Sequence, residues 1–183
     1  MKILADTQRL ILRELEPADR FSMLELDSDP EVMRYLSVQS IRNLEEAEQV
    51  IQYVRKQYKD NGIGRWAMQL KESGEFVGWC GIKLVNDMEM NGHTNYHDIG
   101  YRLLTRHWGK GLATEAAKVC VEYAFREMEL KKLNATAMFG NFGSCRVLEK
   151  IGMTRMEDFV DENGLQWHWY EMTGRRGSMD LSV

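Results

Sequence analysis

Two glycines one residue apart, Gly109 and Gly111, lie where an alternating stretch meets a helical pattern in Tyr101 to Ala116 (Y-R-L-L-T-R-H-W-G-K-G-L-A-T-E-A). Glycine removes the Cβ barrier to close approach, and the first N–H groups of a helix lack intrahelical partners, so such a turn can cradle phosphate oxygens. Lys110 adds a positive charge between the two. A tight strand-to-helix turn also uses glycines, so the neighbouring residues must decide. The Walker pattern is not met, since no Gly-Lys-Ser/Thr follows a glycine at its spacing, and the G-x-G-x-x-G fingerprint breaks at Thr114. A phosphate-bearing ligand other than a Walker nucleotide or NAD is what remains.

Other reactive side chains carry weaker signals. His93 and His97 are four apart, but they fall in a loop and a strand with no cysteine beside them, and no metal site is expected. Cys80, Cys120 and Cys145 are too few and too scattered for a disulfide framework, so they read as reduced, structural thiols. Trp167, His168, Trp169 and Tyr170 alternate on a late strand, where core packing outweighs substrate recognition, and Trp66 and Trp79 carry the same two readings.

The elements that must position these residues follow from periodicity. Leu10, Leu12 and Leu15 read as a half-buried strand ending at Pro17, and Phe21, Leu24 and Leu26 as a helix before Asp29-Pro30. Asn43 followed by Glu46 has capping-box spacing, and Leu44, Ala47, Ile51, Val54 and Tyr58 form one apolar stripe, which predicts a helix over 43–60. Trp66 to Leu70 and Phe76 to Val85 read as a hairpin, Asn86 to Asn95 as a loop, and 96–104 as the next strand. Leu112, Ala116, Val119, Cys120, Tyr123 and Ala124 predict a helix running to about 129, followed by a strand at 133–139, a short helix at 142–151 and strands at 153–160 and 166–173. The passage from 96 to 139 needs a parallel crossover and the hairpins need antiparallel pairs. The fold class expected is therefore α/β (α+β), a mixed sheet with helices on both faces.

The 183 residues suit one domain, expected over 1–174 with a frayed tail at 175–183. A composition 44% hydrophobic and 28% charged, with two prolines, excludes disordered, collagenous and disulfide-stapled classes. No apolar run approaches the roughly 20 residues that span a bilayer, and Met1 to Leu12 carries charges where a secretory signal is apolar, so the expected location is the cytoplasm, with no membrane partner. With 24 basic against 28 acidic residues there is no basic stripe for nucleic acid, and cationic partners are mildly favoured.

Tyr101 to Ala116, followed by Asn141 to Met153 (N-F-G-S-C-R-V-L-E-K-I-G-M), resembles the GNAT superfamily of acetyl-CoA-dependent N-acetyltransferases, in particular its RimJ/RimL-like branch. The resemblance extends to Thr7–Leu15, Ser28–Leu36 and Glu75–Ile82. It implies a mostly antiparallel seven-stranded sheet, splayed between the fourth and fifth strands (96–104 and 133–139), with acetyl-CoA as cosubstrate in the gap and no metal. In the family pattern Q/R-x-x-G-x-G/A the matching positions are Trp108, Gly111 and Ala113. Backbone amides of Trp108, Gly109, Lys110, Gly111, Leu112, Ala113 and Thr114 would hold the diphosphate. Trp108 departs from the usual Gln or Arg, and a register starting at Arg106 also fits, although the following T-E-A favours the first.

The resemblance further implies that backbone groups of Arg102, Leu103 and Leu104 pair with the pantetheine amides and polarise the thioester carbonyl. Asn141 matches the residue that bonds the pantetheine arm, and Ser144 lies one turn on. The family's usual tyrosine, seven residues after that asparagine, is Leu148 here, so Ser144 becomes the candidate proton donor to the thiolate; a serine at that place is also a common helix cap. Asp98 stands where relatives often carry Glu and is the candidate general base, with a solvated strand carboxylate as the plainer reading. Glu115 suits the first helical turn for dipole reasons and is given no chemistry.

The activity implied is direct transfer of acetyl to a primary amine through a tetrahedral intermediate, with no acyl-enzyme. A protein N-terminal α-amine ranks first, ahead of a polyamine, amino sugar or antibiotic. Any self-association expected is a homodimer. The alternative from another class is a non-catalytic acetyl-CoA-binding module, which Leu148 motivates.

Overall fold

The computed structural model describes residues 2–174, so the tail assigned to 175–183 lies outside the described residues. Among the described residues eight strands form one sheet in the order β1-β2-β3-β4-β5-β6-β8-β7. They are β1 Ile3–Asp6, β2 Leu10–Glu14, β3 Arg65–Leu70, β4 Phe76–Val85, β5 Tyr96–Leu103, β6 Lys132–Met138, β7 Thr154–Val160 and β8 Gln166–Thr173. The seven strands expected are all present, and β1 is an addition. Its four residues I-L-A-D show no alternation, and the strand exists through its antiparallel pairing with β2 at the sheet edge.

Among the described residues five α-helices cover the faces: α1 Arg20–Ser28, α2 Pro30–Met33, α3 Leu44–Asn61, α4 Leu112–Arg126 and α5 Phe142–Lys150. At α3 the cap forms as expected, but the return bond of the capping box shifts by one residue. Asn43 Oδ1 accepts from the Glu46 amide at 2.9 Å, and the Glu46 carboxylate accepts from the Arg42 amide at 2.7 Å. The helix stops at Gly62, whose φ of 71° lies in the left-handed region. Helix α4 ends at Arg126 rather than near 129, because Glu129 turns to φ 51° and the Leu130 amide bonds back to the Ala124 carbonyl at 2.9 Å.

Each face has its own apolar layer. On one, α4 and α5 pack Leu112, Ala116, Cys120, Ala124 and Leu148 against Trp66, Cys80, Ile82, Ile99, Leu103 and Tyr170 of the sheet. On the other, α1, α2 and α3 pack Met23, Leu26, Val32, Ile51 and Val54 against Leu15, Ala67 and Phe76. Arg13 and Asp19, both buried, make a two-pronged ion pair at 2.7 and 2.8 Å that fixes the turn leading into α1. The four alternating residues of β8, Trp167, His168, Trp169 and Tyr170, are all buried, in line with core packing.

Pairing through the sheet is antiparallel except between β5 and β6, which run parallel and share a single register pair, Asp98 with Asn134. Beyond that pair the two strands share no further register partner among the described residues. The splay thus falls between the two strands where the sequence placed it, and α4 makes the crossover between them.

Candidate active site

The loop from Trp108 to Gly111 joins β5 to α4, with Gly109 at φ 72° and Gly111 at φ 77°. A side chain resists this backbone region, which is why both positions are glycine. A Cβ at Gly109 would meet nothing within 4 Å, so the loop's open side is free space. The N-cap of α4 is Gly111, which has no side chain to cap with, and the first intrahelical bond is that of the Glu115 amide to the Gly111 carbonyl at 3.0 Å. The amides of Leu112, Ala113 and Thr114 therefore keep their donors, beside the positive end of the helix dipole. These features fit a diphosphate. The left-handed glycines are the pair that the register from Arg106 uses, and Arg106 itself turns away to Glu25 and Glu75.

The loop is tied down from the other end of the chain. Glu115 Oε1 accepts from Thr7 Oγ1 at 2.7 Å and from the Arg9 amide at 2.8 Å. Its Oε2 accepts from Arg9 Nε at 2.7 Å, and Arg9 Nη1 donates to the Lys110 carbonyl at 2.9 Å. Burial alone would raise the Glu115 carboxyl, but these donors hold it below the usual carboxylate range. Glu115 is accordingly a structural clamp.

Along β5 the backbone alternates. The Leu104 amide donates to the Val77 carbonyl at 3.0 Å, so Leu104 and Arg102 turn their backbone groups to β4, while Tyr101 and Leu103 turn theirs to the gap. Of Arg102, Leu103 and Leu104, Leu103 is the one whose groups face the gap, and its carbonyl already accepts from the Trp108 indole Nε1 at 2.8 Å.

Side chains of β5 divide between the two faces. Asp98 lies on the α1–α3 side, bonded to the Arg65 guanidinium, which also donates to the Gly81 carbonyl at 2.6 Å and the Asp98 carbonyl at 2.8 Å. Burial pushes the Asp98 carboxyl above its ordinary value, with Arg65 pulling against it. Arg102, on the same face, bonds Asp27 at 2.6 Å, and its guanidinium and that of Arg65 sit 5.1 and 5.3 Å from the Trp79 ring. On the α4–α5 side, Asn141 caps α5, its Oδ1 accepting from the Ser144 amide at 3.1 Å. Ser144 is therefore not the cap, and its hydroxyl lies 3.0 Å from the Tyr101 Oη. The structure thus places Asp98 and the Asn141–Ser144 pair on opposite faces of the sheet, on either side of one gap.

The GNAT acetyltransferase domain model matches residues 9–154. The chain belongs to the GNAT acetyltransferase family. Among its relatives, the uncharacterised protein YkkB of Bacillus subtilis is 36% identical over 151 residues, covering 80% of this chain and 83% of that one. The putative ribosomal N-acetyltransferase YdaF of the same organism is 31% identical, covering 86% and 84%. The crystal structure of a GNAT-family acetyltransferase from Bacillus anthracis superposes with a TM-score of 0.75 at 27% identity, covering 94% of this chain and 98% of that one. RimL, the ribosomal L7/L12 α-N-protein acetyltransferase solved with coenzyme A, reaches a TM-score of 0.78 at 14% identity, over 94% and 98%, and shares the fold.

The protein is an acetyl-CoA-dependent acyltransferase, and the GNAT family acts on amines. Among the described residues no group of His, Cys, Asp and Glu could hold a metal ion, and no helix is long and apolar enough to cross a membrane. His93 stacks on Trp169 at 4.7 Å, while His168 bonds Asp158 at 2.7 Å. Cys80 and Cys120 are buried with their sulfurs 3.6 Å apart, as free thiols. Sequence reasoning missed Arg65 and Tyr101. Arg65 opens a strand with no motif around it. Tyr101 could have been grouped with Ile99 and Leu103 by alternation, and the packed helices make their shared face the α4–α5 one.

Proposed function

We propose that this acyltransferase moves acetyl from acetyl-CoA to a protein N-terminal α-amine. The observation that carries the reading is the single-pair junction of β5 and β6, with unpaired helix amides at its mouth and candidate acid–base groups on opposite faces. The loop from Trp108 to Thr114 holds the diphosphate, Leu103 and Asn141 bond the pantetheine arm, and the bound cosubstrate supplies an activated acyl carbon with a thiolate leaving group. Asp98 takes the proton of the attacking amine on the α1–α3 side, directly or through water. Its raised pKa favours that role, because a base stronger than an ordinary carboxylate holds the proton better. Ser144 donates towards the departing sulfur on the other side.

An α-amine is about 10 to 20% neutral at pH 7, whereas lysine is under about 0.1%, so an α-amine needs little beyond positioning and a proton path. One half-buried carboxylate provides that path. The relative YdaF, a putative ribosomal N-acetyltransferase, points to the same acceptor class, as does the likeness to the RimJ/RimL branch noted in the sequence. Release of free thiol from acetyl-CoA, followed with N-terminal peptides, polyamines and aminoglycosides, tests the reading. Turnover with peptides is expected. Turnover confined to small amines would replace the acceptor class, and none despite tight coenzyme A binding would make the protein a binding module.

A further inference from the structure

Leu148 is 1% exposed in the core and carries no hydroxyl, so the α5 side of the gap has Ser144 Oγ in place of the phenol that the family resemblance leads one to expect. A phenol reaches the same helical turn from the opposite lip. Tyr101, on β5, places its Oη 2.9 Å from the Ser144 carbonyl oxygen and 3.0 Å from Ser144 Oγ. The contact joins β5 to the first turn of α5 and so bridges the two sides of the splay. We infer that Tyr101 is a positioning residue of the transfer, whose phenol sets the direction in which the Ser144 hydroxyl donates. The inference rests on the role proposed above for Ser144.

Counting protons gives the device. The phenol has one hydrogen, and a carbonyl oxygen can only accept. While the phenol donates to the Ser144 carbonyl, Ser144 Oγ can meet it only as a donor, and the serine proton points away from the gap. When the phenol donates to Oγ instead, the serine proton is released towards the gap. The two acceptors are nearly equidistant, so the exchange is a rotation about the C–O bond with no movement of heavy atoms. Burial raises the Tyr101 pKa far above its ordinary value, so the phenol stays neutral and keeps its proton. In the transfer a C–N bond forms, the C–S bond breaks with its electron pair going to sulfur, and the amine proton leaves to Asp98 or water. Ser144 donates a hydrogen bond to that sulfur and Tyr101 donates one to Ser144. Neither hydroxyl loses its proton, and the one shed by the amine balances the one the thiolate takes up from water.

The test is a double-mutant cycle in the thiol-release assay on full-length protein. Tyr101→Phe is expected to lower kcat about tenfold, the scale of one hydrogen bond, with KM for acetyl-CoA unchanged within about twofold. The Tyr101→Phe effect should vanish in a Ser144→Ala background and persist in Ser144→Thr, which keeps a hydroxyl. Thermal melting of each variant separates a fold defect, which would move KM and Tm together, from loss of the donor. Wild-type kcat in Tyr101→Phe, or a double variant slower by the product of the two single effects, would overturn the inference while leaving the transferase reading intact. A wild-type protein silent with every amine would overturn both.

Discussion

Replacing Gly111 by Ala separates the backbone's need for glycine from the ligand's. At φ 77° an alanine is strained, yet its Cβ would meet nothing nearer than Arg9 Nη2 at 3.5 Å, so the cost is conformational rather than steric. A left-handed residue other than glycine costs about 1–2 kcal/mol, which for a chain of this size lowers Tm by about 2–8 °C. Gly62 is the matched control: its φ is 71°, a Cβ there meets nothing within 4 Å, and it ends α3 rather than starting α4. Gly62→Ala should show a similar fall in Tm. Gly111→Ala should in addition weaken coenzyme A, because relieving the strain re-aims the amides of Leu112, Ala113 and Thr114. A hydrogen bond to a charged group contributes about 1.5–3 kcal/mol, so losing the alignment of one weakens Kd by about 10- to 150-fold. Isothermal titration with coenzyme A and melting of the free protein measure the two effects. Equal Kd in wild type and Gly111→Ala, with Tm lowered as in Gly62→Ala, would refute the cradle.

Further outcomes follow from the geometry. With the Asp98 carboxyl raised by burial, the acid limb of the kcat/KM profile should lie above the ordinary value of about 3.9, and activity should fall as pH drops through it. For stability the sign is opposite: the group's favourable contribution is full below about 3.9 and is lost as pH rises through the raised folded value. Arg65→Met removes the cation that opposes the shift and should move the limb to higher pH; an unmoved limb would take Asp98 out of the proton path. Gly78→Ala should destabilise by about 3 kcal/mol or more in urea unfolding, since φ is 145° and a Cβ would stand 2.1 Å from the Arg102 carbonyl oxygen. A loss under about 1 kcal/mol would contradict that close approach of β4 to β5.

Some of the site could be read in one dimension because its cause is local. Glycines at a strand-to-helix turn announce free amides wherever the chain goes. The α3 stripe and the Asn43 cap are equally local and form as expected. Strand β1 was not legible, because four residues without alternation become a strand only when β2 offers them partners. Nor was the commitment of the Leu104 amide to Val77, which depends on the β4–β5 register and leaves Leu103 as the member of its trio facing the gap. The clamp of Thr7 and Arg9 on Glu115 joins residues more than a hundred positions apart, and periodicity carries no trace of it.

Local order along the chain by itself determined the glycine turn before α4, the helices and strands around it, and the absence of a tyrosine at Leu148. Those features depend on backbone conformation and spacing, which neighbouring residues dictate. The tertiary structure alone decided which side of the sheet each reactive group occupies: Asp98 with Arg65 on one, and Ser144 with Tyr101 on the other. Successive strand residues point to opposite faces, and only the packed helices and the register across the parted strands say which face meets which partner.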